Sequence, residues 1–88
     1  MVDIEKLLSS KGRLRILRLL FSEGQANISR IIKETGLHYR LVTRHLEELK
    51  NMGIVVEKKY GRLRIFEVDL TDPRNSALKE LLDRLERL

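Results

Sequence analysis

The most informative absence in this sequence is cysteine, of which its 88 residues contain none. Disulfides, thiolate metal sites and catalysis by a thiol are therefore excluded. No run approaches the ~20 apolar residues of a membrane span, and the N-terminus lacks the apolar core of an export signal. We therefore expect a cytoplasmic protein that has no membrane partner.

Clusters of residues that carry out chemistry are also missing. Beyond His38 and His45 there is no nucleophile–base pair, no glycine-rich phosphate loop and no set of ligands at metal spacing. The two histidines are seven residues apart, which is too far to chelate one metal without further ligands. Because so short a chain leaves little room for a deep pocket, we expect no enzyme, no metal and no cofactor.

The charge is concentrated in the middle of the chain. Residues 30–64 hold nine basic and four acidic groups, whereas residues 65–88 hold four basic and six acidic groups. A positive segment of this kind attracts a polyanion. An apolar content of 42% with 35% charged residues excludes a disordered tail, and the length indicates a single domain over residues 1–88.

Apolar residues recur at helical spacing from the start of the chain. Positions 4, 7 and 8 predict a short first helix. Ser10 is a good N-cap for a second helix, which Gly24 ends. The inner face of this second helix is expected to carry Leu14, Leu17, Leu20 and Phe21.

Two further helices follow at once. Asn27 is expected to cap a third helix that stops at Gly36, and a fourth helix runs from about His38 to Asn51. Two helices joined by a short turn that contains Gly are typical of a helix-turn-helix, here over residues 27–51. The inward residues are expected to be Ile28, Ile31 and Ile32 on the third helix and Val42, Leu46 and Leu49 on the fourth.

After Gly53 the pattern changes from helical to β-type. Apolar and β-branched residues on both sides of Tyr60-Gly61-Arg62 predict a hairpin over residues 54–68. Asp72-Pro73 is expected to break the chain before a last helix over residues 75–88. The predicted fold class is mainly α with a small β-hairpin (α+β), in the element order of a winged helix-turn-helix.

The fourth helix is the candidate DNA-reading element. Its outer side carries Arg40 and Arg44, which lie four residues apart and therefore share one face. Arginine pairs bidentately with guanine or holds a phosphate, and the major groove accepts a helix. The alternative is that a charged helix face is merely solvated. The candidate reading residues are His38, Tyr39, Arg40, Thr43 and Arg44.

The hairpin carries four basic side chains close to Gly61. As a wing it would lie along the DNA backbone or place an arginine in the minor groove, where narrow A·T segments attract arginine. The alternative is an edge hairpin kept soluble by lysine. Because the hairpin directly follows the reading helix, we favour a wing that contacts DNA through Lys58, Lys59, Arg62 and Arg64.

The last helix carries a seam of leucines. A helix of this length is marginal in isolation, so its apolar face must be buried. It either packs on its own core or forms a two-fold dimer, alone or together with the first helix. We favour the dimer, with an interface formed by Ile4, Leu7, Leu8, Leu78, Leu81, Leu82, Leu85 and Leu88.

Five segments resemble the winged-helix repressors of the arsenical-resistance-repressor (ArsR) type, whose architecture the multiple-antibiotic-resistance-repressor (MarR) group shares. They are Leu14-Arg15-Ile16-Leu17, Gly36-Leu37, Val42-Thr43-Arg44-His45-Leu46, Met52-Gly53-Ile54-Val55 and Gly61-Arg62. The resemblance covers about residues 4–70. It implies that Arg40, Thr43 and Arg44 lie in the reading helix, that Arg62 lies in the wing and that the outer helices dimerise. His45 matches a recurrent histidine of the family, which suggests packing or a phosphate contact.

The sequence departs from this resemblance at two places. Metal sensors of the family carry cysteines where this chain reads Ala26-Asn27-Ile28-Ser29, so thiolate sensing is excluded. The serine or threonine that usually opens the reading helix is replaced by His38, a poorer cap, which leaves the start of that helix open.

These observations favour a dimeric regulator of transcription that binds double-stranded DNA, most simply a repressor bound to an inverted-repeat operator. Whether it responds to an effector ligand is left open. The alternatives are a winged-helix protein-interaction module within the transcription machinery and a non-specific architectural DNA-binding protein.

Overall fold

The chain folds in the order α1-α2-β1-α3-α4-β2-β3-α5. The computed structural model describes residues 4–87. Over these residues it forms five helices and three strands, with bounds α1 Ile4–Leu8, α2 Lys11–Glu23, β1 Gln25–Asn27, α3 Ile28–Thr35, α4 Tyr39–Asn51, β2 Val55–Tyr60, β3 Leu63–Val68 and α5 Pro73–Glu86. No helix in this part of the chain is long and apolar enough to cross a membrane.

Side-chain caps begin α2, α3 and α5. Ser10 Oγ accepts a hydrogen bond from the Arg13 amide at 3.2 Å, and Asn27 Oδ1 accepts one from the Arg30 amide at 2.8 Å. Both caps were expected from the sequence. Asp72-Pro73 does not break the chain before the last helix but begins it: Asp72 is the N-cap, and proline suits the first helical position because no N–H is needed there.

The sheet contains one strand more than the predicted hairpin. β1 pairs antiparallel with β3, with Ala26 opposite Phe66, and β2 pairs with the other side of β3, which gives the order β1-β3-β2. Three residues are too few to show the alternation by which a strand is recognised, so β1 could not be predicted. The fold class, mainly α with a small antiparallel sheet, is confirmed.

The hairpin turns through Gly61-Arg62, two residues that separate the paired Tyr60 and Leu63. Gly61 has φ 62°, and Arg62 has no positive φ. A positive φ at the first central residue alone is the pattern of a type II′ turn, whose twist matches that of the flanking strands. The turn therefore holds Arg62 at the tip of a two-stranded projection.

The core lies between α2, α3, α4 and the inner face of the sheet. On α2 the fully buried positions are Ile16, Leu17 and Leu20, whereas Leu14 and Phe21 are only partly buried. The inner face of α2 is thus rotated from the predicted one, toward Ile16. On α3 only Ile31 is fully buried, and Ile28 and Ile32 pack at its margin. On α4 the predicted Val42, Leu46 and Leu49 are all buried.

The leucines of the two outer helices divide between the core and the surface. Leu7, Leu78 and Leu82 are buried within the subunit itself, so they form its core and are not exposed to a partner. The leucine side chains exposed on the same helices are Leu8, Leu81 and Leu85. Of the remaining predicted interface residues, Leu88 and the side chain of Ile4 lie outside the described part of the structure.

Asn75 fixes the start of α5 to the end of the helix-turn-helix. Its side chain is 1% exposed, and its amide nitrogen donates to the Gly53 carbonyl at 3.1 Å and to the Asp69 carbonyl at 2.8 Å. Because a buried side-chain amide is costly to leave without acceptors, these two hydrogen bonds hold the first turn of α5 against the end of the helix-turn-helix and the end of the hairpin.

Candidate nucleic-acid interface

The turn between α3 and α4 is short and held by local hydrogen bonds. Gly36 ends α3 in the left-handed conformation, with φ 70°. Thr35 Oγ1 donates to the Ile31 carbonyl at 2.6 Å and accepts from the Leu37 amide at 3.2 Å. Three residues therefore separate the two helices, which is the geometry of a helix-turn-helix.

His38 is the N-cap of α4, which fixes where this helix begins. Its Nδ1 accepts a hydrogen bond from the Arg40 amide at 3.3 Å, so the imidazole replaces the usual serine or threonine oxygen. The acceptor role requires that Nδ1 carries no proton. Tyr39 is therefore the first helical residue, and Arg40 lies in the first turn.

The outer face of α4 presents two exposed arginines, of which only Arg44 has a carboxylate nearby. The Arg40 guanidinium has no ion-pair or hydrogen-bond partner among residues 4–87. Arg44 is 66% exposed, and the nearest carboxylate oxygen, Oε1 of Glu48, lies 3.9 Å from its Nε. Tyr39 is 55% exposed beside them, and Thr43 Oγ1 donates to the Arg40 carbonyl at 3.1 Å. The predicted reading residues thus share one accessible surface.

The opposite face of α4 is held by a buried polar contact with α2. A Cβ added at Gly12 would lie 2.7 Å from Nε2 of His45, so the two helices approach closely at this point. His45 Nδ1 lies 3.4 Å from Glu48 Oε1, and Arg13 Nη2 lies 3.3 Å from Glu48 Oε2. His45 therefore packs inside the protein and is not available to a phosphate.

Burial lowers the pKa of His45 below its ordinary value, and the neighbouring Arg13 lowers it further, while Glu48 opposes the shift. The neutral imidazole is consequently the form that fits between α2 and α4. The sequence signal for this contact was the pair of histidines, and the structure separates them by role: His38 caps the helix, and His45 packs behind it.

The four predicted wing cations fall into two groups, two that are paired with carboxylates and two that are not. Lys58 Nζ lies 2.7 Å from Glu67 Oε1, and Arg64 Nε donates to Glu57 Oε2 at 2.7 Å, so both are neutralised within the hairpin. Lys59 and Arg62 have no ion-pair partner in the described part of the chain.

Arg62 also borders a groove of about 150 Å³ between the wing tip and the start of α3. This groove is lined by Asn27, Ile28, Ser29, Arg62, Leu63 and Arg64.

Sequence reasoning missed the groups that join the wing to α4. Lys50 at the end of α4 contacts Glu57 on β2 at 2.9 Å, and Glu57 also holds Arg64 on β3. The available signal was the alternation of β2: Glu57 is two residues from the buried Val55 and must therefore point to the same inner face. Within residues 4–87 no three histidine, aspartate or glutamate side chains are grouped as a metal site would require.

The sequence and the fold both match known proteins. A family model described as "Bacterial regulatory protein, arsR family" matches residues 10–57, which is more than half of the chain. A relative from Methanocaldococcus jannaschii, named as an uncharacterised HTH-type transcriptional regulator, is 31% identical over 83 residues, covering 94% of this chain and 91% of the relative.

The chain belongs to the ArsR family.

Solved structures share the fold of this ArsR-family chain. HlyU from Vibrio cholerae superposes with a TM-score of 0.82 at 22% identity, over 97% of this chain and 89% of that one. A homodimeric winged helix-turn-helix DNA-binding domain from Mycobacterium bovis, described as a possible ArsR-family regulator, gives a TM-score of 0.77 at 24% identity, over 96% and 75%. The winged helix-turn-helix architecture is therefore confirmed.

Family membership also settles the class of protein. ArsR-family proteins are regulators of transcription, so this chain is a DNA-binding domain and not an enzyme. The matched segment, residues 10–57, begins at the Ser10 cap of α2 and includes the whole of α3 and α4. It ends at Glu57, within β2, so the wing tip and α5 lie beyond it.

We expect the stability of the protein to fall in mildly acidic solution because of His45. Since its pKa is lowered in the native state, the unfolded chain takes up a proton at about pH 6.5 while native His45 stays neutral. The free energy of unfolding should therefore decrease as the pH falls below about 6.5. His45→Gln should remove this part of the dependence, as measured by urea unfolding between about pH 7 and about pH 5.

All other titratable groups are common to the two proteins, so the difference between their unfolding curves isolates His45. A difference in unfolding free energy that stays constant across this pH range would contradict a lowered pKa at this position.

Proposed function

We propose that the protein is a sequence-specific regulator that binds double-stranded DNA as a homodimer, most simply as a repressor that occludes a promoter. The observation that supports this proposal is the exposed cationic surface formed by Arg40 and Arg44 on α4 with Lys59 and Arg62 on the wing, where the one ion pair among the described residues is the long contact of Arg44 with Glu48 at 3.9 Å. In this proposal the DNA-binding residues of α4 are His38, Tyr39, Arg40, Thr43 and Arg44.

Each element takes a separate role in this proposal. α4 enters the major groove, where Arg44 pairs with a base edge or holds a phosphate. Arg62, at the wing tip, reaches the adjacent backbone or minor groove, and Lys59 holds a phosphate. Lys58 and Arg64, which the sequence assigned to the same task, contribute less because Glu67 and Glu57 already neutralise them.

The homodimer is supported by three exposed leucines on the outer helices and by the homodimeric assembly of the domain from Mycobacterium bovis. Leu8, Leu81 and Leu85 are each between 45% and 50% exposed, and Leu81 and Leu85 lie one turn apart on the same face of α5. A two-fold dimer would bury these leucines and place two reading helices about 34 Å apart, the repeat of the major groove on one face of the duplex.

Selection of bound duplexes from a random library at about 150 mM salt tests the proposal, because salt at this level suppresses purely electrostatic binding. We expect enrichment of an inverted repeat whose half-sites are one helical turn apart. A single half-site would contradict the two-fold docking. No enrichment would contradict sequence-specific regulation and would favour a protein-interaction module or an architectural role.

Removal of Arg44 and removal of Lys59 should have different effects on DNA binding. If Arg44 reads a base edge, Arg44→Ala should weaken binding to the selected duplex by about 1–3 kcal/mol and relax the preference for one base pair. Lys59→Ala should weaken binding to all duplexes alike and lower the slope of affinity against salt. Fluorescence anisotropy titrations at several salt concentrations measure both effects. An unchanged affinity of the Arg44 variant would remove Arg44 from the interface.

The proposed dimer predicts that a charge on α5 separates the subunits. Leu81→Glu should convert the protein to a monomer in sedimentation equilibrium, because a carboxylate would be buried at the interface. Leu63→Glu is the matched control, since Leu63 is 47% exposed, close to the 45% of Leu81, but lies on the wing. An equally stable dimer in both variants would contradict an interface at α5.

A further inference from the structure

Four side chains of alternating charge form a closed ring between α4 and the wing. Lys50 Nζ lies 3.3 Å from Glu47 Oε1 and 2.9 Å from Glu57 Oε1. Arg64 Nε lies 2.7 Å from Glu57 Oε2, and its Nη2 lies 3.8 Å from Glu47 Oε1. Each cation therefore faces both carboxylates. Two members belong to α4, one to β2 and one to β3, so the ring joins all three elements.

Glu57 is the centre of this ring and differs from an ordinary surface carboxylate. Its side chain is only 5% exposed, and both of its oxygens accept hydrogen bonds, with Arg64 Nη2 donating to Oε1 at 3.1 Å. The hydrogen bonds from Arg64 lower the pKa of Glu57 to about 2, with a further contribution from Lys50. It therefore stays ionised throughout the physiological range.

The core also holds Arg64 in place. Its guanidinium carbon lies 5.3 Å from the centre of the Phe66 ring, and Phe66 is completely buried. The planar cation is thus held between an aromatic face and two carboxylates, a geometry that lysine does not reproduce. Because its partners lie on both α4 and β2, Arg64 cannot turn toward DNA without opening the ring.

We infer that Glu57 is a positioning residue that sets the angle between the reading helix and the wing, and thereby the sequence specificity of the protein. This inference rests on the proposed function. α4 and the wing meet the same duplex in different grooves, so base contacts by α4 and phosphate contacts by the wing form together only at one angle. Lys50 and Arg64 act through Glu57 and not through DNA.

The electrostatic effect of Glu57 alone has the opposite sign. A carboxylate close to the DNA-binding surface repels phosphates and weakens binding to every sequence alike. If Glu57 were only a charge, its removal would strengthen binding to selected and unrelated duplexes by the same factor. If it sets the angle, its removal strengthens binding to unrelated DNA but weakens binding to the selected duplex. The ratio of the two affinities separates these cases.

The experiment compares Glu57→Gln with Glu67→Gln. Glu67 lies on the same hairpin, forms one ion pair with Lys58 at 2.7 Å and has no ion pair with α4, so the control adds the same charge without opening the ring. We expect Glu57→Gln to lower the affinity ratio of selected to unrelated duplex by about tenfold, whereas Glu67→Gln leaves it within about twofold. An equal ratio in both variants overturns the inference.

A second variant removes the opposite charge from the same ring. Lys50→Gln makes the surface more negative, so binding to unrelated DNA should weaken, yet the affinity ratio should fall as it does in Glu57→Gln. A purely electrostatic effect cannot lower the affinity ratio both when a negative charge is removed and when a positive charge is removed. A ratio that changes in opposite senses in the two variants overturns the inference.

A readout without DNA keeps the inference distinct from the proposed function. Relaxation of ¹⁵N amides in the free protein should show lower order parameters across residues 58–63 in Glu57→Gln than in wild type, with no change in Glu67→Gln. Unchanged order in Glu57→Gln overturns the positioning role even if wild type selects a duplex. If wild type selects none, the proposed function fails, and the order parameters still decide whether Glu57 holds the wing.

Discussion

The orientation of the reading helix depends on how closely α2 approaches it at Gly12. No side chain fits at this position, because His45 Nε2 occupies the space that a Cβ would need. Beside this contact, Arg13 donates to the Lys6 carbonyl at 2.7 Å and pairs with Glu48, which joins α1 and α2 to α4. Since Arg13 and His45 are almost fully buried, the rotation of α4 is fixed from behind by groups that face away from its outer surface.

The two polar clusters on α4, one around His45 and one around Glu57, have different roles. The buried cluster around His45 determines which residues of α4 point outward, and the ring around Glu57 determines where the wing lies beside them. Both use carboxylates to hold arginines, but they respond to acid in different ranges. Burial lowers the pKa of His45, so the native protein keeps this imidazole neutral. Glu57 has a pKa of about 2 and therefore stays ionised in mild acid. Mild acid therefore lowers the free energy of unfolding through His45, which takes up a proton in the unfolded chain, and leaves Glu57 ionised.

The sequence predicts the helices and the hairpin well because their signals are local. Ser10 and Asn27 are caps with one obvious role, and the changes at Gly36 and Gly53 separate clear periodic segments. β1 was not predicted because a three-residue strand is defined by its pairing with another strand and not by a pattern in its own sequence. The inner face of α2 was rotated in the prediction because Arg13 is buried, and its contacts with Glu48 and the Lys6 carbonyl, which offset the cost of that burial, are not visible in the sequence.

The site was harder to predict because the sequence shows how many charged residues a segment contains but not which of them form ion pairs. Residues 30–64 hold nine basic groups, yet the structure neutralises four of them, Arg30, Lys50, Lys58 and Arg64, with carboxylates at 3.3 Å or less. The cations left without a close partner include Arg40, Arg44, Lys59 and Arg62, which lie on the reading helix and the wing. In the proposed complex these cations, which have no close carboxylate, are the ones that release counterions from DNA, so we expect affinity and its salt dependence to follow from this smaller set. The paired cations instead hold α4 and the hairpin together, which accounts for a carboxylate as buried as Glu57 beside the proposed DNA-binding surface.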